Sequence, residues 1–327
     1  MNTRQQVLTY LEAHRDSPIS GQKLADDLNL SRNAIWKAIQ SLRQEGYVIE
    51  SAPNLGYRLA DSSDWLHEAT IRKNLSSLFD DWDLECFKTI DSTNTQAKAY
   101  ANNGQSRRPK IFISEEQTLG RGRVGRPFFS PAQTGLYMTI CLFPNSSLED
   151  MSLMTAATAV AVAKAIESVT TLPVGIKWVN DIYMGGKKIA GILTEAVTDL
   201  ESQEVVALII GIGLNVYPPK EELPEELRSV VGSIFEGKSA DFSRNQLAVN
   251  ILNEWMSLYH QLDAKTVLED YRQRSIVLGK EVTVIQGNRE FQAFARSIND
   301  QGHLIVEDHD QQQHELSYGE VSIRNFL

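Results

Sequence analysis

Three glycines and three arginines alternate in the stretch Gly120-Arg121-Gly122-Arg123-Val124-Gly125-Arg126. The spacing matches the G-x-G-x-x-G turn of dinucleotide-binding folds, but that turn needs a strand directly before it and a helix beginning within it. Pro127 and Pro131 follow, and prolines disfavour a helix there. We therefore reject a dinucleotide site. The stretch predicts a mobile loop whose backbone N-H groups and guanidinium groups bind a carboxylate or phosphate and order around it.

The alternative for this loop is a solvated basic surface that binds nothing. Three arginines alone would favour that alternative, because exposed arginines are common. Glycine at alternate positions favours the binding loop, because glycine lets a ligand approach the backbone closely.

Polar and charged residues also recur where predicted strands begin or end. Four segments share this property: Asp91-Ser92-Thr93-Asn94, Lys177-Trp178-Val179-Asn180-Asp181, Lys187 to Leu193, and Gly211-Ile212-Gly213-Leu214-Asn215. The first segment also opens a predicted helix, so one of its side chains can cap the helix while others face a ligand. Ser-His-Asp and Cys-His arrangements are absent, and the six histidines are scattered outside these segments.

Alternating strands and helices must position these segments. Apolar runs predict strands at 84–90, 110–114, 136–143, 176–179, 187–197 and 204–216, and helices at Thr93–Ala101, Ser152–Val169 and Asn245–Leu262. The last two strands are joined only by the turn-like TDLESQ, which leaves no room for a crossover helix. The pattern predicts a mixed, largely antiparallel α+β sheet. Short strands after residue 277 predict a small antiparallel C-terminal β-barrel.

The first 62 residues form a separate pattern. Val7, Leu8 and Leu11 mark one helical face, Ser20 can cap a short second helix, and Ser31 can cap a third that ends before Gly46. The strand YVIES, the turn PNLG and the strand YRLA then predict a hairpin. The order is that of a winged helix-turn-helix.

The third helix is the candidate for DNA contact. Residues 31–43 contain Arg32, Lys37 and Arg43 and no acidic residue, although the chain as a whole carries a net charge of -10. We predict that Ser31, Arg32, Asn33 and Lys37 contact the major groove or its phosphates. The alternative is a helical dimerisation or docking domain. The modest local charge implies that dimerisation on a two-fold operator would strengthen binding.

Length and composition bound the remaining possibilities. With 327 residues and 42% hydrophobic residues, the chain is expected to fold into two or three globular domains. No apolar run reaches the roughly 20 residues of a membrane span, and the N-terminus lacks a signal peptide pattern. The two cysteines, Cys86 and Cys141, lie in apolar runs and are expected to be reduced, so we expect a cytoplasmic protein that does not enter membranes. The polar segment DSSDWLHE is expected to be a linker, which gives domains at 1–62, 63–274 and 275–327.

Taken together, DSTN, GRGR-x-GR, KW-x-ND, K-hydrophobic-AGIL and GIG-x-N in this order resemble the biotin-protein ligase family, over nearly the whole chain. With the N-terminal winged helix-turn-helix the chain is similar to the family's bifunctional ligase/repressor members. It departs from the family pattern in having Val179 where proline is common, and Pro127-Phe128 where a basic residue and tryptophan are common.

The resemblance implies a reaction in two steps. Biotin attacks the α-phosphate of ATP to give biotinyl-5'-adenylate, and a lysine of the biotin carboxyl carrier protein of acetyl-CoA carboxylase then attacks the acyl carbon. Cations and Mg²⁺ delivered with ATP would bring the two anions together, so no protein nucleophile and no dedicated protein metal site are expected. The adenylate would act as corepressor for a homodimer on operator DNA.

The resemblance also implies residue roles. Ser92, Thr93, Asn94 and Gln117 would bind the ureido ring, and Arg121, Gly122, Arg123 and Lys188 the carboxylate end; Lys177, Asn180 and Asn215 would contact the nucleotide or its phosphates. Arg123 and Lys188 are predicted to be catalytic, together with Asp181, which would orient the incoming lysine or accept its proton. Two rivals remain: a lipoate or octanoate ligase fused to a DNA-binding domain, and a transcription factor whose large domain only senses a ligand.

Overall fold

The computed structural model describes residues 2–52, 55–104, 106–144, 150–199, 204–220, 222–238, 242–260 and 263–323. The chain divides into two compact units, one formed by residues 1–74 with 238–246 and the other by 75–237 with 247–327. The predicted domain limits at residues 62 and 274 remain predictions.

The smaller unit contains the predicted helix-turn-helix and hairpin. Its elements are α1 (Thr3–Ala13), α2 (Gly21–Asp27), α3 (Arg32–Gln44), β1 (Ile49–Ala52), β2 (Gly56–Leu59) and α4 (Glu68–Asn74). The Ser20 and Ser31 side chains accept hydrogen bonds from the backbone N-H of the third residue of α2 and α3, as predicted. Gly46 has a φ of +95°, which confirms the left-handed end of α3. The hairpin's two strands pair antiparallel, and its turn residues Pro53 and Asn54 lie outside the described residues.

The segment expected to be a linker has buried side chains in this unit. Asp64 and Arg244 form a buried ion pair with Arg244 Nε 2.9 Å from Asp64 Oδ2, and the Arg244 backbone N-H donates to Asp64 Oδ1 at 2.9 Å. Trp65 stacks on Tyr47 with ring centroids 5.2 Å apart. Polar composition suggested a linker, but these side chains find buried partners far away in the sequence, which composition does not reveal.

The larger unit is built on a seven-stranded mixed sheet. Its strands are β3 (Asp83–Phe87), β4 (Lys110–Ser114), β5 (Gly135–Leu142), β6 (Gly175–Lys177), β7 (Asp181–Met184), β8 (Lys187–Thr198) and β9 (Val205–Asn215). The order is β3-β4-β5-β9-β8-β7-β6, and only the β3/β4 pair is parallel among these neighbours. The prediction of a mixed, largely antiparallel sheet is confirmed. Strand β7 was not predicted, and residues 200–203 of the turn between β8 and β9 lie outside the described residues.

Helices α5 (Thr93–Asn102) and α6 (Asp150–Thr170) pack against the sheet. After its last strand come α7 (Glu225–Arg228), α8 (Arg244–His260) and α9 (Ala264–Gln273); the first three residues of α8 belong to the smaller unit, and α9 packs against α6. The three predicted helices correspond to α5, α6 and α8, although the predicted end of α8 at Leu262 lies outside the described residues. Helix α6 is long and apolar enough to cross a membrane by length and composition, but 67% of its apolar window is buried within the fold. It is a core helix.

The C-terminal strands form a five-stranded antiparallel sheet. They are β10 (Glu281–Gln286), β11 (Arg289–Ile298), β12 (Leu304–Asp308), β13 (Gln313–Leu316) and β14 (Glu320–Ile323), in the order β13-β12-β11-β10-β14. Within residues 263–323, no pairing joins the outer strands β13 and β14, so closure into the expected barrel is not seen. The antiparallel β prediction is confirmed in this narrower form.

Candidate functional site

One cavity of about 450 Å³ in the larger unit brings together the predicted ligase residues. Its lining includes Ser92, Thr93, Asn94, Gln117, Arg121, Gly122, Arg123, Lys177, Asn180, Asp181, Lys188 and Asn215. These residues come from four strand ends, the start of α5 and the glycine-arginine loop. Residues far apart in the sequence therefore share one site.

Neutral hydrogen-bonding groups form one end of the cavity. The Gln117 side-chain oxygen accepts from the Thr93 backbone N-H at 2.9 Å, and Gln117 Nε2 donates to Ser130 Oγ at 3.0 Å. Ser92 is the N-cap of α5, yet its side chain makes no capping hydrogen bond and lines the cavity. The hydroxyls of Ser92 and Thr93 and the amide of Gln117 therefore line this end, and they suit a ligand that has both hydrogen-bond donors and acceptors.

Strand β9 forms the floor beneath this end. A Cβ atom at Gly211 would lie 2.2 Å from Asn94 Oδ1, and one at Gly213 would lie 2.6 Å from the Phe128 ring. Phe128 also lines the cavity. The alternating glycines of GIG-x-N are explained by these close approaches.

The glycine-arginine loop forms a tight turn rather than the start of a helix. The Gly122 N-H donates to the Arg126 carbonyl at 2.7 Å, and the Phe128 N-H donates to the Gly120 carbonyl at 2.8 Å. Residues Arg123–Gly125 form a single 3-10 turn, with Val124 at a φ of 54°. A Cβ atom at Gly120 would lie 2.2 Å from the Phe128 carbonyl oxygen. The turn geometry agrees with the rejection of a dinucleotide-binding helix.

Arg123 connects this loop to two other parts of the larger unit. Its Nη1 donates to Asn180 Oδ1 at 3.1 Å and to the Gly319 carbonyl at 3.2 Å. Arg126 forms an ion pair with Glu320 at 2.9 Å. Because Glu320 also lines the cavity, the C-terminal sheet contributes to the site as well as to the fold.

Two lysines supply positive charge on the opposite wall. Lys188 Nζ lies 2.6 Å from Asp181 Oδ1, so the predicted cation and the predicted proton acceptor form an ion pair. Lys177 Nζ lies 5.8 Å from the centroid of the Tyr183 ring. Burial lowers the pKa of Lys177 below its ordinary value, and the Asp181 charge opposes that shift. The pKa of Tyr183 is raised to about 12 by the same burial.

Two residues predicted to contact the nucleotide, Asn180 and Asn215, already form hydrogen bonds within the protein. Asn180 accepts from Arg123 through Oδ1 and donates through Nδ2 to the Ile192 carbonyl at 2.7 Å. Asn215 Nδ2 donates to the Gly232 carbonyl at 3.2 Å. Both side chains therefore line the cavity and also link neighbouring segments of its wall.

The sequence interpretation missed a segment that covers this wall, residues 222–238. Leu223, Leu227, Val230 and Val231 of this segment line the cavity. The Lys188 N-H donates to the Val230 carbonyl at 2.8 Å, and Lys187 Nζ donates to the Arg228 carbonyl at 3.3 Å and also to the Ser229 carbonyl. The paired lysines of KKIAGIL could have indicated a second contact surface. Neighbouring residues of a strand point to opposite faces, so only one of the two lysines can face the cavity and the other needs a different partner.

The cysteines and histidines have no place among the lining residues. Cys141 is buried, and burial raises its pKa to about 12. Val179, at a departure from the family pattern, accepts a hydrogen bond from the Tyr271 hydroxyl at 2.9 Å. Pro127 and Phe128, at the other departure, line the cavity.

Helix α3 presents the predicted DNA-binding residues on one exposed face. Ser31, Arg32, Asn33 and Lys37 are exposed, while Ile35, Ile39 and Leu42 are buried on the opposite face. Trp36 lies among the exposed residues with 53% of its surface accessible. An exposed tryptophan on this face was not singled out from the sequence.

Comparisons with known proteins agree with this geometry. Residues 86–215 match the biotin/lipoate A/B protein ligase family, residues 3–58 an HTH domain, and residues 277–324 the biotin protein ligase C terminal domain. The bifunctional ligase/repressor BirA of Bacillus spizizenii is 34% identical over 88% of this chain and 89% of its own length. The corresponding Escherichia coli protein is 27% identical over 94% of this chain and 93% of its own length. The structure of a biotin protein ligase from Aquifex aeolicus in complex with biotin and ATP covers 74% of this chain and 98% of its own, with 27% identity and a TM-score of 0.62.

Proposed function

The chain belongs to the family of bifunctional biotin protein ligases and biotin operon repressors, and we propose the following assignment of the two activities to its residues. As a biotin-[acetyl-CoA-carboxylase] ligase it forms biotinyl-5'-adenylate and pyrophosphate from biotin and ATP. It then transfers biotin to a lysine of the biotin carboxyl carrier protein of acetyl-CoA carboxylase and releases AMP. The observation that carries the assignment is the single cavity with a neutral polar end and a cationic wall.

The neutral end binds the ureido ring of biotin. Ser92, Thr93 and Gln117 offer hydroxyl and amide groups, which can pair with both the N-H and the C=O groups of a cyclic urea. Asn94 also lines this end of the cavity. A ring without donors, such as the dithiolane of lipoate, would leave several of these groups unpaired, which costs binding free energy.

The cationic wall brings the two anions of the first step together. Arg121 and Arg123 approach from the loop and Lys188 from β8, so the biotin carboxylate and the α-phosphate of ATP can meet between them. Lys177 and Asn215 extend the site towards the nucleotide. No covalent intermediate with the protein is required.

Magnesium accompanies ATP in this proposal. The carboxylates that line the cavity are Asp181 and Glu320, and each is paired with a cation, Lys188 and Arg126 respectively. Within the described residues no cluster of three or more His, Cys, Asp or Glu side chains gathers. These donors fit an ion held mainly by phosphate oxygens and water, as Mg²⁺ usually is with nucleotides. Bound there, the ion would neutralise phosphate charge.

The second step needs an uncharged amine. Asp181 lies beside Lys188 and faces the cavity, where it can orient the incoming carrier lysine and accept its proton. The leaving group is AMP, so protein cations that stabilise the phosphate also favour this step.

Biotin-dependent exchange of pyrophosphate into ATP tests the ligase assignment. The expected result is rapid exchange with biotin and little exchange with lipoate. Exchange with lipoate instead would identify a lipoate ligase, and no exchange with either acid would identify a ligand sensor.

The second activity couples biotin supply to transcription. Helix α3 presents Ser31, Arg32, Asn33 and Lys37 to operator DNA, and biotinyl-5'-adenylate acts as the corepressor that favours a homodimer on two half-sites. A cytoplasmic location follows from these substrates. Sedimentation should show dimers only with biotin and ATP, and operator binding should rise in parallel. A monomer under all conditions with ligand-independent DNA binding would contradict this coupling.

A further inference from the structure

The glycine-arginine loop contains one residue in a backbone conformation that its side chain disfavours. Val124 has a φ of 54° and a ψ of 35°, and Gly125 follows with a φ of 72°. The Arg126 N-H donates to the Arg123 carbonyl at 3.1 Å across these two residues. Positive φ at both central residues is the signature of a type I′ turn. The tip of the loop is therefore a type I′ turn with valine at its first central position.

Valine is a poor residue for this position. Type I′ turns favour asparagine, aspartate or glycine there, because these residues tolerate left-handed backbone. A β-branched side chain crowds that backbone, and a valine with positive φ is a rare outlier. Val124 is also 83% exposed, so packing of its side chain offers little to offset the cost. The geometry of the turn is thus opposed by its own sequence.

Contacts on either side of the tip hold the turn in shape. Arg123 donates to Asn180 Oδ1 at 3.1 Å and to the Gly319 carbonyl at 3.2 Å. Arg126 pairs with Glu320 at 2.9 Å. The closed loop is therefore a balance between a strained tip and the contacts of the two arginines that flank it. Strain that the surroundings enforce in this way is typical of ligand clamps and switch regions.

The opening of this loop affects how long a bound intermediate stays in the cavity. Arg121 and Arg123 of the loop line the cavity, whereas Val124 does not. Strain at Val124 raises the free energy of the closed loop relative to open conformations, so it increases the fraction of time that the loop is open. It does so without changing any group that faces the ligand. A change at Val124 is therefore expected to alter the release of a ligand and not its chemistry.

We propose that Val124 is a positioning residue whose left-handed backbone sets the opening of the glycine-arginine loop, and thereby the rate at which the acyl-adenylate is released. The inference rests on the proposed biotin ligase function and deepens it. An intermediate that must be retained in one step and handed to an acceptor lysine in the next needs a loop that closes but also opens. Relief of the strain at residue 124 should slow release, which is the opposite of the effect expected when the Arg123 contacts are lost.

Val124→Asn tests the proposal, because asparagine followed by Gly125 is a preferred pair for a type I′ turn. The full chain is loaded with radiolabelled biotin and ATP in the presence of pyrophosphatase, which prevents reversal of the first step. An excess of unlabelled biotin is then added, and the label that stays bound is followed with time. We expect label to leave Val124→Asn about three- to tenfold more slowly than it leaves the unmodified chain.

Two further variants at the same position separate backbone strain from other effects of the change. Val124→Ile keeps a β-branched side chain, so its release rate should match that of the unmodified chain. Val124→Ala removes the branching, and its release rate should lie between those of Val124→Ile and Val124→Asn. Because Val124 is exposed, none of these replacements disturbs a packed core.

Thr171→Asn is the matched control. Thr171 is also β-branched and exposed, and it has a φ of 58°. It lies directly after α6 and does not line the cavity. Asparagine tolerates a left-handed position at a helix end, so the replacement relieves the same kind of strain. It should raise the thermal stability and leave the release rate unchanged.

Equal release rates for the unmodified chain and Val124→Asn overturn the proposal. Slowed release in Val124→Ile also overturns it, because that result would assign the effect to the side chain instead of the backbone. Slowed release in Thr171→Asn does the same, because it would assign the effect to general stability. Failure of the proposed function is separate, because it would appear as absent biotin-dependent pyrophosphate exchange in the unmodified chain.

Discussion

The guanidinium of Arg123 donates a hydrogen bond to the side-chain oxygen of Asn180 across 3.1 Å. Asn180 is itself fixed to β8 by its second amide hydrogen bond, to the Ile192 carbonyl. The glycine-arginine loop is therefore fastened to the central sheet at one defined point. The same Arg123 nitrogen also reaches the Gly319 carbonyl, so one side chain joins the loop to both sheets of the larger unit.

Replacing Arg123 by glycine should remove the hydrogen bonds from the loop to Asn180 and Gly319 and let the reactive adenylate dissociate. We expect Arg123→Gly to biotinylate nearby proteins indiscriminately, detected as biotin on added bovine serum albumin by streptavidin blot. Arg108→Gly is the control, because Arg108 is an exposed arginine of the same unit that pairs with Asp81 and Asp83 and does not line the cavity. Full retention of the adenylate by Arg123→Gly would contradict the role.

The lowered pKa of Lys177 should appear in the pH dependence of ATP binding. Burial favours the uncharged amine, so the positive charge is present below the lowered pKa and is lost as pH rises through it. ATP binding should therefore weaken at a pH below the ordinary lysine value of 10.5. Lys177→Arg should remove this alkaline limb, because arginine stays charged. Calorimetric titrations across alkaline pH give the measurement, and an identical limb in Lys177→Arg would assign it to another group.

Lys187 should position the covering segment without contacting a ligand. It donates to carbonyls at the end of α7, and the segment beyond those carbonyls lines the cavity. We expect Lys187→Met to raise the Kd for ATP by about three- to tenfold, because one or two partly solvated hydrogen bonds are lost. Biotin binding without ATP should stay unchanged, and Lys187→Arg should restore ATP affinity. Equal losses for both ligands would point to a general loss of structure.

The buried Asp64 and Arg244 pair should stabilise the smaller unit. Asp64→Ala leaves the Arg244 guanidinium buried without its carboxylate, which costs about 3–5 kcal/mol in comparable cases. The exposed pair of Arg58 with Glu50 is the control, because solvent screens this pair and Glu50→Ala should leave the protection nearly unchanged. Hydrogen exchange of peptides from α1 to α3 measures both. Equal protection in the two variants would refute the difference.

Trp36 and Lys37 should contribute differently to operator binding. Lys37→Ala should weaken binding to all duplexes and reduce the salt slope by about one, as expected for a lost phosphate contact. Trp36→Ala should relax sequence preference, because an apolar ring in the major groove can contact a thymine methyl. Selection of operators from a random library, followed by titration in salt, separates the effects. Lys265→Ala on α9 is the control, and an unaltered salt slope in Lys37→Ala would exclude the phosphate contact.

The sequence predicted what local patterns determine. Serine caps, a glycine helix end and apolar periodicity located α1 to α3 and the main strands, because each signal lies within a few residues. It missed β7 and α7, which have four residues each and are too short for a periodic pattern, and it also missed the longer helices α4 and α9. It named Thr93, Asn94 and Gln117 but missed Thr139 and Glu195, because those partners meet only through strand register. Likewise, nothing near Arg123 indicates the carbonyl of Gly319.

The glycine floor of the cavity restricts how this protein could be engineered. Side chains at Gly211 or Gly213 would collide with Asn94 or Phe128, so β9 tolerates no enlargement. The covering segment carries larger apolar side chains at Leu223, Leu227 and Val230, which can be shortened without that collision. To accommodate a bulkier carboxylic acid, such as a labelled biotin derivative, the apolar side chains of the covering segment should be shortened and the glycines of β9 kept.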